Sequence, residues 1–258
     1  MIAGKQDIDE GWMREVRSHC VSKCPYIVPR ITWEADRFSP EDLIDLKRLL
    51  ADTAQQYQFD GFVFEFGFSS EILPLMMEIR SALEGKQIVL VAHPEAATSI
   101  RDGDSFLSDL NACVNYVVIM SYDYSVRRGK VGPNAPMRIS FHSVESMRDF
   151  IHIASKSKQR EMIAHMLMGI PFYGYDGMNA ITGPAYIDVL KHYTVEMEYR
   201  EKDEECAMRY VDEKKKLHTV YYPTLKFLAE RIALAKKVKC GIAIWELGQG
   251  LDYFFDLL

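Results

Sequence analysis

The segment FDGFVFEF, residues 59–66, carries apolar side chains on both faces of an extended chain. A strand of this kind is covered on both sides, as parallel strands flanked by helices are. The same alternation continues outward from it. Upstream, a helix is signed at its start, with Ser39 as N-cap, Pro40 at N1 and Asp42 at N3 of a capping box. Leu43, Leu46, Leu50, Ala54 and Tyr57 then recur on one face at helical spacing. Before that helix, WMREVRSH reads as a helix and YIVPRI at 26–31 as a strand. Downstream, EILPLMMEIRSALEG places Leu75, Ile79 and Leu83 a turn apart, and QIVLVAHP at 87–94 is a strand. SFLSDLNA predicts a short helix, YVVIMSYDY at 116–124 a strand, SVESMRDFIHIASKS a helix and HMLMGIPFYG at 165–174 a strand. GPAYIDVLKHY and LKFLAERIALAKK are helical, GIAIWELG at 241–248 is a strand, and LDYFFDLL closes the chain as a short helix.

Strands that alternate with helices predict a parallel sheet with right-handed crossovers. The pattern alone allows an open six-stranded sheet or an incomplete barrel, since a complete (β/α)8 barrel needs eight strands. The rhythm changes over 194–222, where an acidic cluster at 201–205 precedes three lysines at 214–216. That stretch is expected to be an irregular charged excursion with short antiparallel pieces and a solvated face. The whole of 1–258 is expected to form one domain.

Composition narrows the function classes. The chain has 258 residues, 48% of them hydrophobic, enough for a substantial core. It carries 37 acidic and 31 basic residues, for a net charge of −6. This argues against a nucleic-acid partner. No membrane span is expected, and no signal peptide is read in MIAGKQDIDEGW. Cys20 and Cys24 have no matching pair at zinc-site spacing, so no metal is expected. Free thiols are the default, and a local disulfide stays open in an oxidising compartment. No phosphate loop, nucleophile elbow or zinc-spaced histidine pair occurs, and no cofactor is expected. His93, a lone histidine before Pro94, reads as a structural group.

Four strand-end motifs occur in order: FDGFVFEF, IMSYDYS, GIPFYGYDG and GIAIWELGQGLDYFFDLL. Together they resemble glycoside hydrolase family 18, in its chitinase-like branch. The resemblance covers nearly the whole chain. It implies a TIM barrel in which these strands are the third to the eighth. The first two strands and any leader would then lie upstream of Met1, and 194–222 would fall between the seventh and eighth strands. It also implies a secreted or lysosomal protein.

The family's signature, Asp-Gly-x-Asp-x-Asp-x-Glu, places its first Asp on Asp60 and its Gly on Gly61. Its later carboxylates fall on Val63, Glu65 and Gly67. The proton-donor position is therefore glycine, which has no acid to give. A general acid contributes roughly 10²–10⁴ in rate to acetal cleavage. Family members use the substrate's N-acetyl group as nucleophile, so one glutamic acid carries most of the burden. The resemblance thus implies no catalytic residue, no enzyme activity and a non-hydrolytic saccharide-binding protein, with N-acetylglucosamine oligomers as the first ligands to test. Two other readings stand beside it: a weak or altered hydrolase using Glu65, and a protein-interaction scaffold whose partner surface is 194–222.

Val63, Glu65 and Gly67 share a strand face by the period of two. If that face lines a barrel, Glu65 is either a structural charge bonded to Tyr122 or Arg30, or a ligand contact. The family's Met-x-Tyr-Asp motif falls on Met120, Tyr122 and Asp123, and it implies that Tyr122 and Asp123 hold an N-acetyl group. Tyr122 filling the core is the alternative. Tyr173 and Trp245 offer flat apolar surface to the C–H face of a sugar, Trp245 matching the family's eighth-strand tryptophan. A core role for Trp245 stays open. Glu246 and Gln249 follow it with hydroxyl-binding chemistry, and Trp33, past the third strand, extends the aromatic set.

Overall fold

The computed structural model describes residues 8–20, 24–32, 39–66, 72–93, 109–137 and 166–258. The chain divides into two compact units, Met1–Ala92 with Ser99–Val117, and His93–Thr98 with Val118–Leu258. The predicted helix at 143–157 lies outside the described residues.

In the first unit, helix α1 spans Glu10–Ser18, and its N-cap Asp9 accepts a hydrogen bond from the Trp12 amide. Strand β1, Arg30–Thr32, is followed by α2, Pro40–Tyr57. The capping box forms as expected. The Ser39 side chain accepts from the Asp42 amide, and the Asp42 carboxylate accepts from the Ser39 amide. The Ser39 amide, and after it the Ser39 side chain, hold the Asp42 carboxyl below its usual pKa. Leu46, Leu50 and Ala54 are the buried members of the predicted face. Strand β2 is Gly61–Glu65, α3 is Ile72–Ala82 and β3 is Gln87–Ala92. β2 pairs in parallel with β1 and with β3.

The Asp-Gly pair before β2 has a structural job. The Asp60 carboxylate accepts from the Ile27 amide at 2.8 Å, and the Asp60 amide donates to the Ile27 carbonyl at 3.0 Å. The chain before β1 is thereby stitched to the start of β2 by one side-chain and one main-chain bond, and β1 begins at Arg30 and not at Tyr26. Gly61 is required by proximity, because a Cβ there would lie 1.9 Å from the Gln87 carbonyl oxygen. Gly61→Ala is expected to lower stability by about 1–3 kcal/mol, the usual cost of forcing atoms into a packed site. Urea unfolding of both proteins checks this.

Strand β4, Tyr116–Ile119, is where the chain passes from the first unit to the second. The second unit continues with β5 at Met166–Pro171 and the short strands β6, Gly174–Asp176, and β7, Asn179–Ile181. Helix α4, Gly183–His192, leads to β8 at Val195–Arg200, β9 at Glu205–Val211 and β10 at Leu217–Tyr221. Helix α5, Leu225–Val238, is capped by Thr224 and precedes β11, Gly241–Trp245. LDYFFDLL forms a 3-10 helix over Asp252–Leu257.

The parallel strands follow the order β1-β2-β3-β4-β5-β11. Six parallel strands alternating with helices fit the TIM-barrel-like fold expected. A second sheet has the order β7-β6-β10-β9-β8, with antiparallel pairing throughout. The stretch 194–222, expected as an irregular excursion with short antiparallel pieces, holds three antiparallel strands. Its register explains how: Ala207, Met208, Val220 and Tyr221 are buried, and Glu198 is paired with Arg209 at 3.2 Å at the surface. Among the described residues, no helix is long and apolar enough to cross a membrane.

Candidate functional site

The second unit builds a polar cluster at the chain ends of β4 and β5. After Ile119 the chain leaves the sheet. The Ser121 hydroxyl donates to the Gly169 carbonyl at 2.7 Å, which fastens this exit to β5. A Cβ on Gly169 would lie 2.6 Å from the Ile119 carbonyl oxygen and 2.8 Å from the Tyr122 ring, so the glycine makes room for both. Tyr122 is buried and meets Tyr173 edge-on, with ring centres 6.2 Å apart.

Asp123 adopts a left-handed backbone conformation, φ 61°. Aspartate tolerates this region better than most residues. The turn is held by Asn134, whose side-chain oxygen accepts from the Asp123 amide at 2.8 Å. The result aims the Asp123 carboxylate at two phenols. Tyr173 and Tyr175 both donate to its Oδ1, the second at 2.6 Å. Burial raises the Tyr173 pKa well above that of an ordinary phenol, and the bond to Asp123 raises it further. The same causes, in the same order, push Tyr175 up to about 12. Both phenols therefore remain donors at any physiological pH.

Trp245 ends β11 and is half-buried, opposite Pro171 in the parallel register. The Phe172 amide donates to the Trp245 carbonyl at 2.8 Å. This bond ties the end of β11 to the residue before Tyr173. The Trp245–Glu246 peptide is cis. Glu246 is exposed at the strand end. The Gln249 side-chain oxygen is buried without a hydrogen-bond partner, while its main-chain oxygen accepts from the Tyr222 hydroxyl at 2.8 Å.

In the first unit, Arg30 donates to Glu65 at 3.0 Å, so one of the two partners expected for that carboxylate is present. Val63 lies two residues before it on β2 and is half-buried. Asp60 serves the chain before β1, as described above. Trp33 and Gly67 lie outside the described residues.

The structure thus brings Tyr122, Asp123 and Tyr173 into contact. Sequence reasoning missed Tyr175 and Asn134. Tyr175 was findable, because it stands two residues after Tyr173 and strand periodicity aligns such residues. Asn134, in a Gly-Pro-Asn-Ala-Pro turn, gave no signal of an internal role.

A parallel α/β sheet whose strand ends gather a carboxylate, phenols and a tryptophan has the chemistry of a carbohydrate-acting protein. The comparisons agree with that class. Residues 41–250 match glycosyl hydrolases family 18, and the chain belongs to that family. A Bacillus subtilis (strain 168) protein named as a sporulation-specific glycosylase, YdhD, is 24% identical over 190 residues. That match covers 68% of this chain and 42% of the relative, so this chain spans less than half of that protein. The crystal structure carrying the YdhD name has a TM-score of 0.74 at 19% identity, covering 96% of this chain and 87% of its own. A chitinase from Chromobacterium violaceum ATCC 12472 gives 0.74 at 19% identity, covering 99% and 84%. The spore cortex-lytic enzyme SleL of Bacillus megaterium QM B1551 gives 0.70 at 20% identity, covering 90% and 58%. At these identities the structures show the shared fold.

These findings correct one expectation. The glycine at position 67 led to a protein without enzyme activity. The family is one of hydrolases, and the matched proteins are named glycosylase, chitinase and cortex-lytic enzyme, which points to glycoside hydrolase activity. The error lay in letting one motif position decide the chemistry of the whole chain.

Proposed function

We propose that this chain is an altered glycoside hydrolase that binds N-acetylglucosamine-containing oligosaccharides at Asp123, Tyr173 and Tyr175. One observation carries the reading: a single carboxylate oxygen accepts from two buried phenols. Such a carboxylate is fixed in place and keeps Oδ2 to accept an amide N–H. An N-acetyl group offers that N–H, and its carbonyl oxygen is left for the reacting carbon. Trp245 supplies apolar area for the sugar face, and Glu246 is an exposed acceptor for hydroxyls. Membership of family 18 supports a sugar ligand.

In the hydrolytic step, the acetamido oxygen attacks the anomeric carbon and the glycosidic C–O bond breaks. An acid must protonate the leaving oxygen. Glu65, the carboxylate of the family motif, belongs to the first unit and is tested for that role below by substitution. Its ion pair with Arg30 would have to open first, so turnover is expected to be slow. We further place the chain in the chitinase-like branch, of the chitinase domain-containing protein 1 type, on the motif IWELGQGLDYF. A secreted or lysosomal location is proposed on family likeness alone.

The test is incubation of the full chain with N-acetylglucosamine oligomers and mass-spectrometric analysis of products. Slow release of shorter oligomers, abolished by Glu65→Gln, is expected. Release that persists in Glu65→Gln would remove Glu65 from the mechanism. No release above buffer would overturn the hydrolytic reading.

A further inference from the structure

The cluster just described is held from behind by a residue of the antiparallel sheet. Glu205 opens β9 and is 3% exposed. Its two oxygens are shared between consecutive amides: Oε2 accepts from Asn134 at 3.0 Å and Oε1 from Ala135 at 2.7 Å. Asn134 is equally buried and divides its own side chain. Its oxygen accepts from the Asp123 amide at 2.8 Å, and its nitrogen donates to the Tyr173 carbonyl at 3.2 Å. Only one orientation of that amide group satisfies both neighbours, because an N–H needs an acceptor and a carbonyl needs a donor. The segment is further sewn down where the Met137 amide donates to the Asp203 carbonyl at 2.8 Å and Arg231 donates to the Ala135 carbonyl.

We propose that Glu205 is a positioning residue for the saccharide site, acting through Asn134 to set Asp123 relative to Tyr173. This rests on the function proposed above, which names that site. A carboxylate offers an acceptor on each of its two oxygens, one for each of two adjacent amides. A glutamine of the same shape would turn an NH2 toward one of them. The Asn134 main chain would shift, and the bonds that fix the Asp123 turn would shift with it. Asp123 Oδ1 would then lose its alignment with the two phenols. Stability alone does not require that second consequence, because Glu205 could brace the loop without any effect reaching Asp123.

The experiment uses the full chain labelled with 13Cζ-tyrosine, its resonances assigned with Tyr173→Phe and Tyr175→Phe. Glu205→Gln is expected to move the Tyr173 and Tyr175 phenol resonances without ligand present. It should also weaken binding of N-acetylglucosamine trimer about tenfold by calorimetry. Asn134→Ala is expected to move the same two resonances, and it decides the matter if Glu205→Gln does not fold. Resonances that stay in place in the folded variants would overturn the proposal, even if the melting temperature falls. If the parent binds no trimer, the proposed function fails, and the resonances still decide whether Glu205 positions the cluster.

Discussion

Arg231→Ala is expected to destabilise the protein by about 3–5 kcal/mol, the cost of leaving a buried charge without its partner. Arg231 is 1% exposed on α5 and lies 3.9 Å from the Glu205 carboxylate. It also donates to the main-chain oxygens of Ala135, Asp203, Glu204 and Phe227, and its guanidinium lies 3.4 Å from the Phe227 ring centre. Its Nε is buried without a hydrogen-bond partner. Burial pulls the Arg231 pKa down to about 10, against the field of Glu205. Burial likewise pushes Glu205 up to about 7, against Arg231 and the two amide donors. Asp203 raises it too, and Arg200 stands opposite it on β8. Alanine removes the counter-charge, four carbonyl partners and a filled volume together. Urea unfolding at neutral pH measures the loss. A change under about 1 kcal/mol, typical of an exposed pair, would contradict the account.

The Glu205 shift has a definite sign for pH. Its native pKa lies above the ordinary value of 4.5, so the native state binds the proton more tightly than the unfolded chain does. This group's contribution to stability is therefore full below about pH 4.5, falls as pH rises to about 7 and is flat above that. Other groups titrate in the same range. The difference between the parent and Glu205→Gln isolates this one, and that difference should carry the slope.

Asp123→Ala is expected to weaken saccharide binding about 100-fold, close to 3 kcal/mol, the upper range for a hydrogen bond to a charged group. The substitution removes the acceptor for a ligand amide. It also leaves the Tyr173 and Tyr175 hydroxyls without the oxygen that orients them. The variant should lose stability as well, since Tyr173 is buried and gives up its partner. Calorimetric titration at several temperatures below the melting transition separates the two effects. Tyr175→Phe removes one phenol and leaves Asp123 in place, so it should cost less than Asp123→Ala. The opposite ranking would show that Asp123 does not contact the ligand.

Local signals in the sequence were legible where the physics is local. Ser39, Pro40 and Asp42 announce the start of α2 within four residues, and the bonds form as read. The six parallel segments are visible as apolar runs between helices, though their ends are not. β4 stops at Ile119 because the left-handed turn at Asp123 and the Ser121 bond to Gly169 take the chain out of the sheet. That turn depends on Asn134, eleven residues away, and on no property of YVVIMSYDY itself. The charged stretch shows the same limit. VEMEYR alternates apolar and charged residues with period two, a strand pattern, yet its charges suggested only short antiparallel pieces in an irregular excursion. What the chain does not display is the pairing of this segment with β9, whose Ala207 and Met208 are buried beside it. The site divides in the same way. Asp123, Tyr122 and Tyr173 follow from motifs at strand ends, while Glu205 and Asn134 act through contacts that only the fold creates.

The central claim is that a saccharide binds at the Asp123 cluster, and calorimetric titration of the full chain with N-acetylglucosamine oligomers of increasing length tests it most directly. The account predicts binding in the micromolar to millimolar range, about −4 to −8 kcal/mol, tightening with oligomer length. Asp123→Ala should abolish most of the heat, and Trp245→Ala should weaken binding at least several-fold. No measurable binding of any oligomer to the folded parent, or equal binding by parent and Asp123→Ala, would contradict it.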